Sequence, residues 1–236
     1  MISRLMTALQ DGGAWRATWW WGQCLLCRQS CQQQPLICQQ CQEELPLLAH
    51  TCRLCGFTLP VENSVCGHCQ QTPPPWQRMQ VLADFIPPFS GLIHGLKYHQ
   101  QSLNGRLLGK LLAMHITPPY PEVIIPVPLH WWRQLHRGYN QAQEIALGLQ
   151  SLLPLAIDND SLKRSRATAS QTHLSRKERQ HNLHHAFSAR PLNYQHVALL
   201  DDVLTTGSTM AELTRLLHQH GVKVVEVWAV CRTLDH

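Results

Sequence analysis

The 236-residue chain is short of charge, with Asp, Glu, Lys and Arg making up 15% against a usual share of ~25%. Glutamine and histidine therefore cover much of the polar surface. The formal charge of +5 suits an anionic partner without requiring one. No run of about 18 apolar residues occurs, which argues against membrane insertion. The opening MISRLMTALQDGG lacks a sustained apolar stretch and a small-residue cleavage site, so no secretory signal is expected. The expected setting is cytoplasmic and reducing, where ten cysteines do not pair as disulfides. Apolar residues are not lacking. At 44% they suffice for a packed core and exclude a wholly disordered chain.

Nine cysteines lie between Cys24 and Cys69, and eight of them form the C-x-x-C pairs Cys24/Cys27, Cys38/Cys41, Cys52/Cys55 and Cys66/Cys69. A shift of 28 positions carries the first two pairs onto the last two without a gap. This is a tandem duplication of a C-x2-C-x10-C-x2-C unit. Tetrahedral zinc takes four soft ligands, and two cysteines three apart on a tight turn supply half of them. Two structural Zn2+ sites are expected, sharing pairs either sequentially or in a cross-braced fashion. A redox C-x-x-C or disulfides in an unexpected compartment are the alternatives. A segment of about fifty residues rich in Gln cannot hold itself together by burial alone, and a structural zinc contributes about 10–16 kcal/mol of apparent folding free energy. Cys31 and Cys231 stand outside the repeat and read as plain free thiols.

Thr72 is followed by three prolines, which make a stiff extended spacer. The expected organisation is a Trp-rich leader over 1–23, a double four-cysteine module over 24–72, a linker over 73–78 and a larger domain over 79–236. Trp15 and Trp19–Trp20–Trp21 in the leader suit either a helix packed on a domain or a base-stacking platform.

From residue 79 onward, strand and helix alternate. QVLADFI (80–86) reads as a strand, and 89–116 as helix in two pieces, weakened by Gly95, Gly105 and Gly109. Val123–Val127 is a buried strand ended by proline. Apolar residues from Ala142 to Leu153 keep a helical rhythm. HVALL (196–200) is a strand, followed by a helix from Ser208 to about His220. Thr209 and Glu212 have capping-box spacing there, and Gly221 suits the C′ position. Val222–Val230 closes the pattern. Apolar strands separated by helices imply an α/β fold with a parallel sheet flanked by helices. Ligands of such sheets bind beyond the carboxyl ends of the strands.

That rule singles out VALLDDVLTTGSTM, residues 197–210. An apolar strand delivers the candidate catalytic pair Asp201 and Asp202. Backbone N–H groups and hydroxyls of Thr205, Thr206, Gly207, Ser208 and Thr209 can then surround an anion at a helix N-terminus. Phosphate is the natural occupant, and the acid pair suits ribose hydroxyls, Mg2+ or both. The plainer alternative is a helix cap with two solvated aspartates.

These residues resemble the phosphoribosyl-pyrophosphate (PRPP) signature of type I phosphoribosyltransferases. The cysteine units, PVPLHWWRQLHRGYNQAQEIA (126–146) and SRATASQTHLSRKERQHNLHHAF (165–187) make the chain similar to the ComF/GntX family of competence and DNA-utilisation proteins. The resemblance spans about residues 24–232. It implies a type I phosphoribosyltransferase-like sheet behind a double zinc ribbon, with PRPP and Mg2+ as ligands. Asp201 and Asp202 would then meet the ribose 2′ and 3′ hydroxyls, and Thr205 to Thr209 the 5′-phosphate. The loop at Pro126, Val127 and Pro128 would face pyrophosphate, with Arg133 and Arg137 as candidates to reach it. The basic stretch 163–190 would be a mobile segment closing over the leaving group; a solvated surface or a DNA contact fits its sign equally.

Three functions remain open at this level. One is a PRPP-binding protein with a role in uptake or use of extracellular DNA, partnered by single-stranded DNA or by an uptake or helicase component. Another is an active phosphoribosyltransferase of nucleotide or base metabolism with an unidentified nitrogenous acceptor. The last is a PRPP-responsive, non-catalytic regulator. The Trp131–Trp132–Arg133 and Arg137–Gly138–Tyr139 cluster suits base stacking, or else core packing plus a pyrophosphate contact.

Overall fold

The computed structural model describes residues 22–31, 36–61, 64–129, 138–164 and 186–233. Residues 1–21 of the Trp-rich leader, Trp131, Trp132, Arg133, Arg137 and the 165–185 part of the basic stretch lie outside the described residues. The chain divides into two units, residues 1–46 and 47–236.

In the smaller unit the first cysteine repeat forms a tight knuckle. Cys24 N–H donates to Gln29 O (2.8 Å) and Arg28 N–H to Cys24 O (2.9 Å), while Gln23 bridges Ser30. Cys38 then starts a short helix α1, Gln39–Glu43. The second repeat belongs to the larger unit and reproduces each step. Cys52 N–H donates to Phe57 O (2.7 Å), Gly56 N–H to Cys52 O (2.8 Å), Thr51 bridges Thr58, and Cys66 starts α2, Gly67–Gln71. The expected single module over 24–72 thus meets a division between Pro46 and Leu47. The reason is packing that cysteine spacing does not encode. Leu48 N–H donates to Leu82 O (3.0 Å) and Met79 N–H to Arg53 O (2.7 Å), which seats the second copy on the edge of the sheet.

At one equivalent position the two copies share a backbone conformation but differ in residue. Arg28 and Gly56 both adopt the left-handed conformation, with φ of 66° and 71°. Arg28 is exposed. At Gly56 a Cβ would lie 2.6 Å from Val81 Cγ1, so only glycine lets this copy lie against the sheet.

The sheet is built from β1 (Arg78–Asp84), β2 (Val123–Pro126), β3 (Ala156–Ile157), β6 (His196–Leu204) and β7 (Val224–Arg232). A two-stranded antiparallel ribbon of β4 (Leu162–Arg164) and β5 (Phe187–Ala189) accompanies it. The five-stranded order is β1-β7-β6-β2-β3, with every pair parallel. Helices α3 (Phe89–Tyr98), α4 (Ser102–His115), α5 (Gln141–Gln150) and α6 (Ser208–Gln219) connect the strands. Strands covered on both faces must be apolar at consecutive positions, and Val197 to Leu200 and Val227 to Cys231 are all buried. Met210, Leu213 and Leu217 of α6 join Val81, Ile125, Leu199 and Val227 in one core layer. On the other face α4 packs on β1 and β7, and α5 on β2 and β6.

Several local expectations hold. Asn140 caps α5 by accepting from Ala142 N–H (3.0 Å), and Gly221 follows α6 with φ 92°. Gly109 does not weaken its helix for nothing: a Cβ there would collide with the Ile145 carbonyl oxygen, so it permits close α4–α5 packing. One buried network was not foreseen. Glu226 accepts from Trp228 Nε1 (2.8 Å) and Gln80 Nε2 (3.2 Å) and pairs with His196 Nε2 (3.0 Å). It lies in the amino-terminal half of β7, and its partners satisfy a carboxylate that is 2% exposed.

Candidate functional site

Strand β6 runs four residues beyond the apolar HVALL stretch. Asp201 stays paired with Ala229, Val203 with Cys231 and Leu204 with Arg232, because β7 remains apolar up to Arg232. The acid pair therefore sits within the last turns of pairing rather than after them, and its geometry is fixed by both strands. Asp202 is 6% exposed, and its backbone N–H donates to Asp201 Oδ1 (2.8 Å). Burial, reinforced by the Asp202 charge, pushes the Asp201 carboxyl up to about 7; Lys97 and Arg164 act in the opposite direction. Arg164 lies on β4, and its guanidinium is 5.3 Å from the Phe187 ring centroid across the ribbon. The β4–β5 ribbon thus carries a positive charge that acts on the acid pair.

Thr205 and Thr206 are exposed, and Gly207, Ser208 and Thr209 are half-buried. Gly207 is the N-cap of α6 with φ 69°, and no side chain caps the helix. The Thr209–Glu212 spacing forms no capping box, because the helix begins one residue before Thr209 and a left-handed turn fills the cap position. Thr206 Oγ1 and Ser208 Oγ are 2.8 Å apart. Hydroxyls and first-turn amides are thus gathered at a helix N-terminus, an arrangement that favours an anion. On the neighbouring strand, Pro126 is level with Leu200, and Val127 N–H donates to Leu200 O (2.8 Å). Val127 O accepts from Asn140 Nδ2 (3.1 Å), so the Pro126–Pro128 segment at the end of β2 is held beside the acid pair. Arg133 and Arg137 are outside the described residues. Tyr139, the described aromatic of their cluster, donates its hydroxyl to Leu96 O (2.6 Å), which is a packing role.

The eight repeat cysteines gather as Cys24, Cys27, Cys38 and Cys41, and as Cys52, Cys55, Cys66 and Cys69, with the sulfurs of each group within 4.8 Å of one another. The grouping is sequential, not cross-braced. Cys27 and Cys38 sulfurs are 3.7 Å apart, and Cys55 and Cys66 sulfurs 3.6 Å. Tetrahedral zinc with Zn–S of 2.3 Å requires about 3.8 Å. Burial pushes the Cys52 thiol up, but backbone N–H groups of Cys66, Leu54 and Cys55 outweigh it and hold it at about 7. Cys24 is held at about 6 in the same manner. Donor set and spacing fit zinc in both groups.

Comparison with known proteins places these features in a family. Residues 135–235 match the family described as phosphoribosyl transferase domain. The chain is 37% identical over 222 residues to "DNA utilization protein YhgH" of Salmonella typhi and 36% identical to that of Escherichia coli (strain K12), each covering 91% of this chain and 92% of the relative. It is 38% identical over 192 residues to "Competence protein F" of Haemophilus influenzae, covering 77% of this chain and 84% of the relative. The chain belongs to the ComF/GntX family. The domain match of this ComF/GntX chain includes the acid pair, the hydroxyl loop and Arg137, while Pro126–Pro128 and Arg133 precede it.

Two side chains beside the acid pair and the hydroxyl loop of this ComF/GntX chain escaped the sequence reading. Lys97, in the last turn of α3, places Nζ 2.9 Å from Asp202 Oδ1. A lysine next to the buried Leu96, at the end of an apolar helix face, was the available clue. Trp76 lies 3.2 Å from the position a Gly207 Cβ would take. Nothing in the sequence separates it from the other tryptophans. Among the described residues no helix is long and apolar enough to cross a membrane.

Proposed function

We propose that the chain binds PRPP with Mg2+ at the carboxyl ends of β2 and β6 and serves the use of DNA taken up from outside the cell. The observation that carries the reading is the hydroxyl-rich, side-chain-uncapped N-terminus of α6 set directly after a strand-bound acid pair. Asp201 and Asp202 accept from the ribose 2′ and 3′ hydroxyls. Thr205, Thr206, Gly207, Ser208 and Thr209 hold the 5′-phosphate by N–H and hydroxyl donors. The Pro126–Val127–Pro128 segment faces the pyrophosphate, with Arg133 and Arg137 supplying positive charge to it.

Mg2+ bound with the ligand offsets diphosphate charge. Lys97 pairs with Asp202 at 2.9 Å, and the parallel strands fix both acids in place. If the bound sugar is transferred, C1 passes through an oxocarbenium-like state, stabilised by fixing the ribose and excluding water. The names of the relatives support the DNA role, and a net charge of +5 is compatible with single-stranded DNA as partner.

Calorimetric titration of PRPP and Mg2+ into zinc-replete protein tests the binding reading. Saturable heat is expected for the native chain and none for the Asp201→Asn/Asp202→Asn variant. Equal binding by both proteins, or by neither, refutes the assignment.

A further inference from the structure

We propose that Trp76 is a positioning residue that ties the Thr205–Thr209 loop to the second four-cysteine group, so that the loop's hold on phosphate depends on metal at Cys52, Cys55, Cys66 and Cys69. The inference rests on the phosphate reading of that loop and adds a control to it.

The knuckle turn between Cys52 and Cys55 spends two consecutive carbonyls on the segment entering the sheet. Arg53 O accepts from Met79 N–H (2.7 Å), and Leu54 O accepts from Trp76 Nε1 (2.7 Å). Trp76 is 7% exposed, so its indole N–H depends on Leu54 O for satisfaction. The far edge of the same ring abuts the loop. A Cβ on Gly207 would lie 3.2 Å from Trp76 Cη2, and Gly207 sets the turn into α6, its carbonyl accepting from Ala211 N–H (2.9 Å). One rigid side chain therefore touches the metal knuckle at its N–H and the anion loop at its six-membered ring. Between Cys52 and Cys55 the knuckle is a single turn, and its sulfurs, gathered within 4.8 Å of the others of the group, are tied together by the metal they would share. Loss of metal frees the Leu54 carbonyl, and the indole follows it away from Gly207.

The test compares four full-length proteins: native, Trp76→Phe, Cys55→Ser/Cys69→Ser, and the combination. Zinc content, amide hydrogen exchange over 205–211 and PRPP–Mg2+ affinity are read for each. Trp76→Phe keeps both zinc ions yet speeds exchange over 205–211 and weakens affinity about fivefold, the worth of one hydrogen bond. The cysteine variant loses one zinc with at least as large an effect. Adding Trp76→Phe to it costs nothing further, since the connection is already broken. Exchange over 102–115 stays native throughout.

Native exchange and affinity in Trp76→Phe, or full additivity in the combination, overturns the proposal. A native protein that does not bind PRPP refutes the phosphate reading instead. The exchange of 205–211 then decides the coupling by itself, and should the cysteine variant fail to fold, Trp76→Phe alone decides it.

Discussion

A carboxyl held at about 7 makes ligand binding pH-dependent in a stated direction. The proposed ribose contact requires Asp201 as an acceptor. Its ionised fraction rises from about 10% at pH 6 to about 90% at pH 8, by the titration of a single group. Affinity for PRPP–Mg2+ should therefore rise about tenfold between those values from this group, flatten above pH 8, and release close to one proton per ligand bound at pH 6. The unliganded protein behaves oppositely. An acid whose folded pKa lies above its unfolded value contributes stability below that unfolded value, and the contribution is lost as pH rises through about 7.

Lys97→Met removes the cation that opposes the shift and moves the midpoint higher. Asp202→Asn removes the neighbouring charge and moves it lower. Ligand phosphates also titrate in this range, so the assay is the difference between native protein and Asp201→Asn, by calorimetry in two buffers of unlike ionisation enthalpy. Carboxyl 13C NMR of Asp-labelled protein gives the midpoint directly. An Asp201 midpoint near 4, or the same pH slope in Asp201→Asn, refutes the reasoning.

Elemental analysis should find two zinc ions per chain, falling to one in either Cys41→Ser or Cys69→Ser. Gly56→Ala should destabilise the protein by about 1–3 kcal/mol through overpacking against Val81 and left-handed strain, whereas Arg28→Gly should be neutral or stabilising by about 1 kcal/mol; urea denaturation measures both. If single-stranded DNA is the partner, log affinity falls linearly with log salt with a slope of about −0.7 per phosphate contacted, and filter binding across a salt series gives that slope.

The strand–helix alternation, the start of α5 at Asn140 and the turn after α6 at Gly221 were legible because each is written in contiguous residues. The 28-residue repeat was legible for the same reason. What was not legible depends on the partner strand or helix. The extension of β6 through Asp201 and Asp202 follows from β7 staying apolar alongside it, so two acids that read as a strand end are in fact held in the sheet. Lys97 is more than a hundred positions from Asp202 and meets it only because α3 packs over the carboxyl ends. Thr209 and Glu212 have the spacing of a cap, yet Gly207 takes the cap position, since a left-handed turn is needed to reverse the chain out of β6. The β4–β5 ribbon was missed because three-residue strands carry no periodicity.

The difference between Arg28 and Gly56 makes the duplicated halves interchangeable in one direction only. The later copy, transplanted into the earlier place, brings a glycine where the left-handed backbone suits one. The earlier copy, transplanted into the later place, brings a side chain into the volume of Val81. Drift or recombination between the two halves is therefore filtered asymmetrically, with the leading copy free to change its surface and the trailing copy bound to the shape of the sheet beneath it.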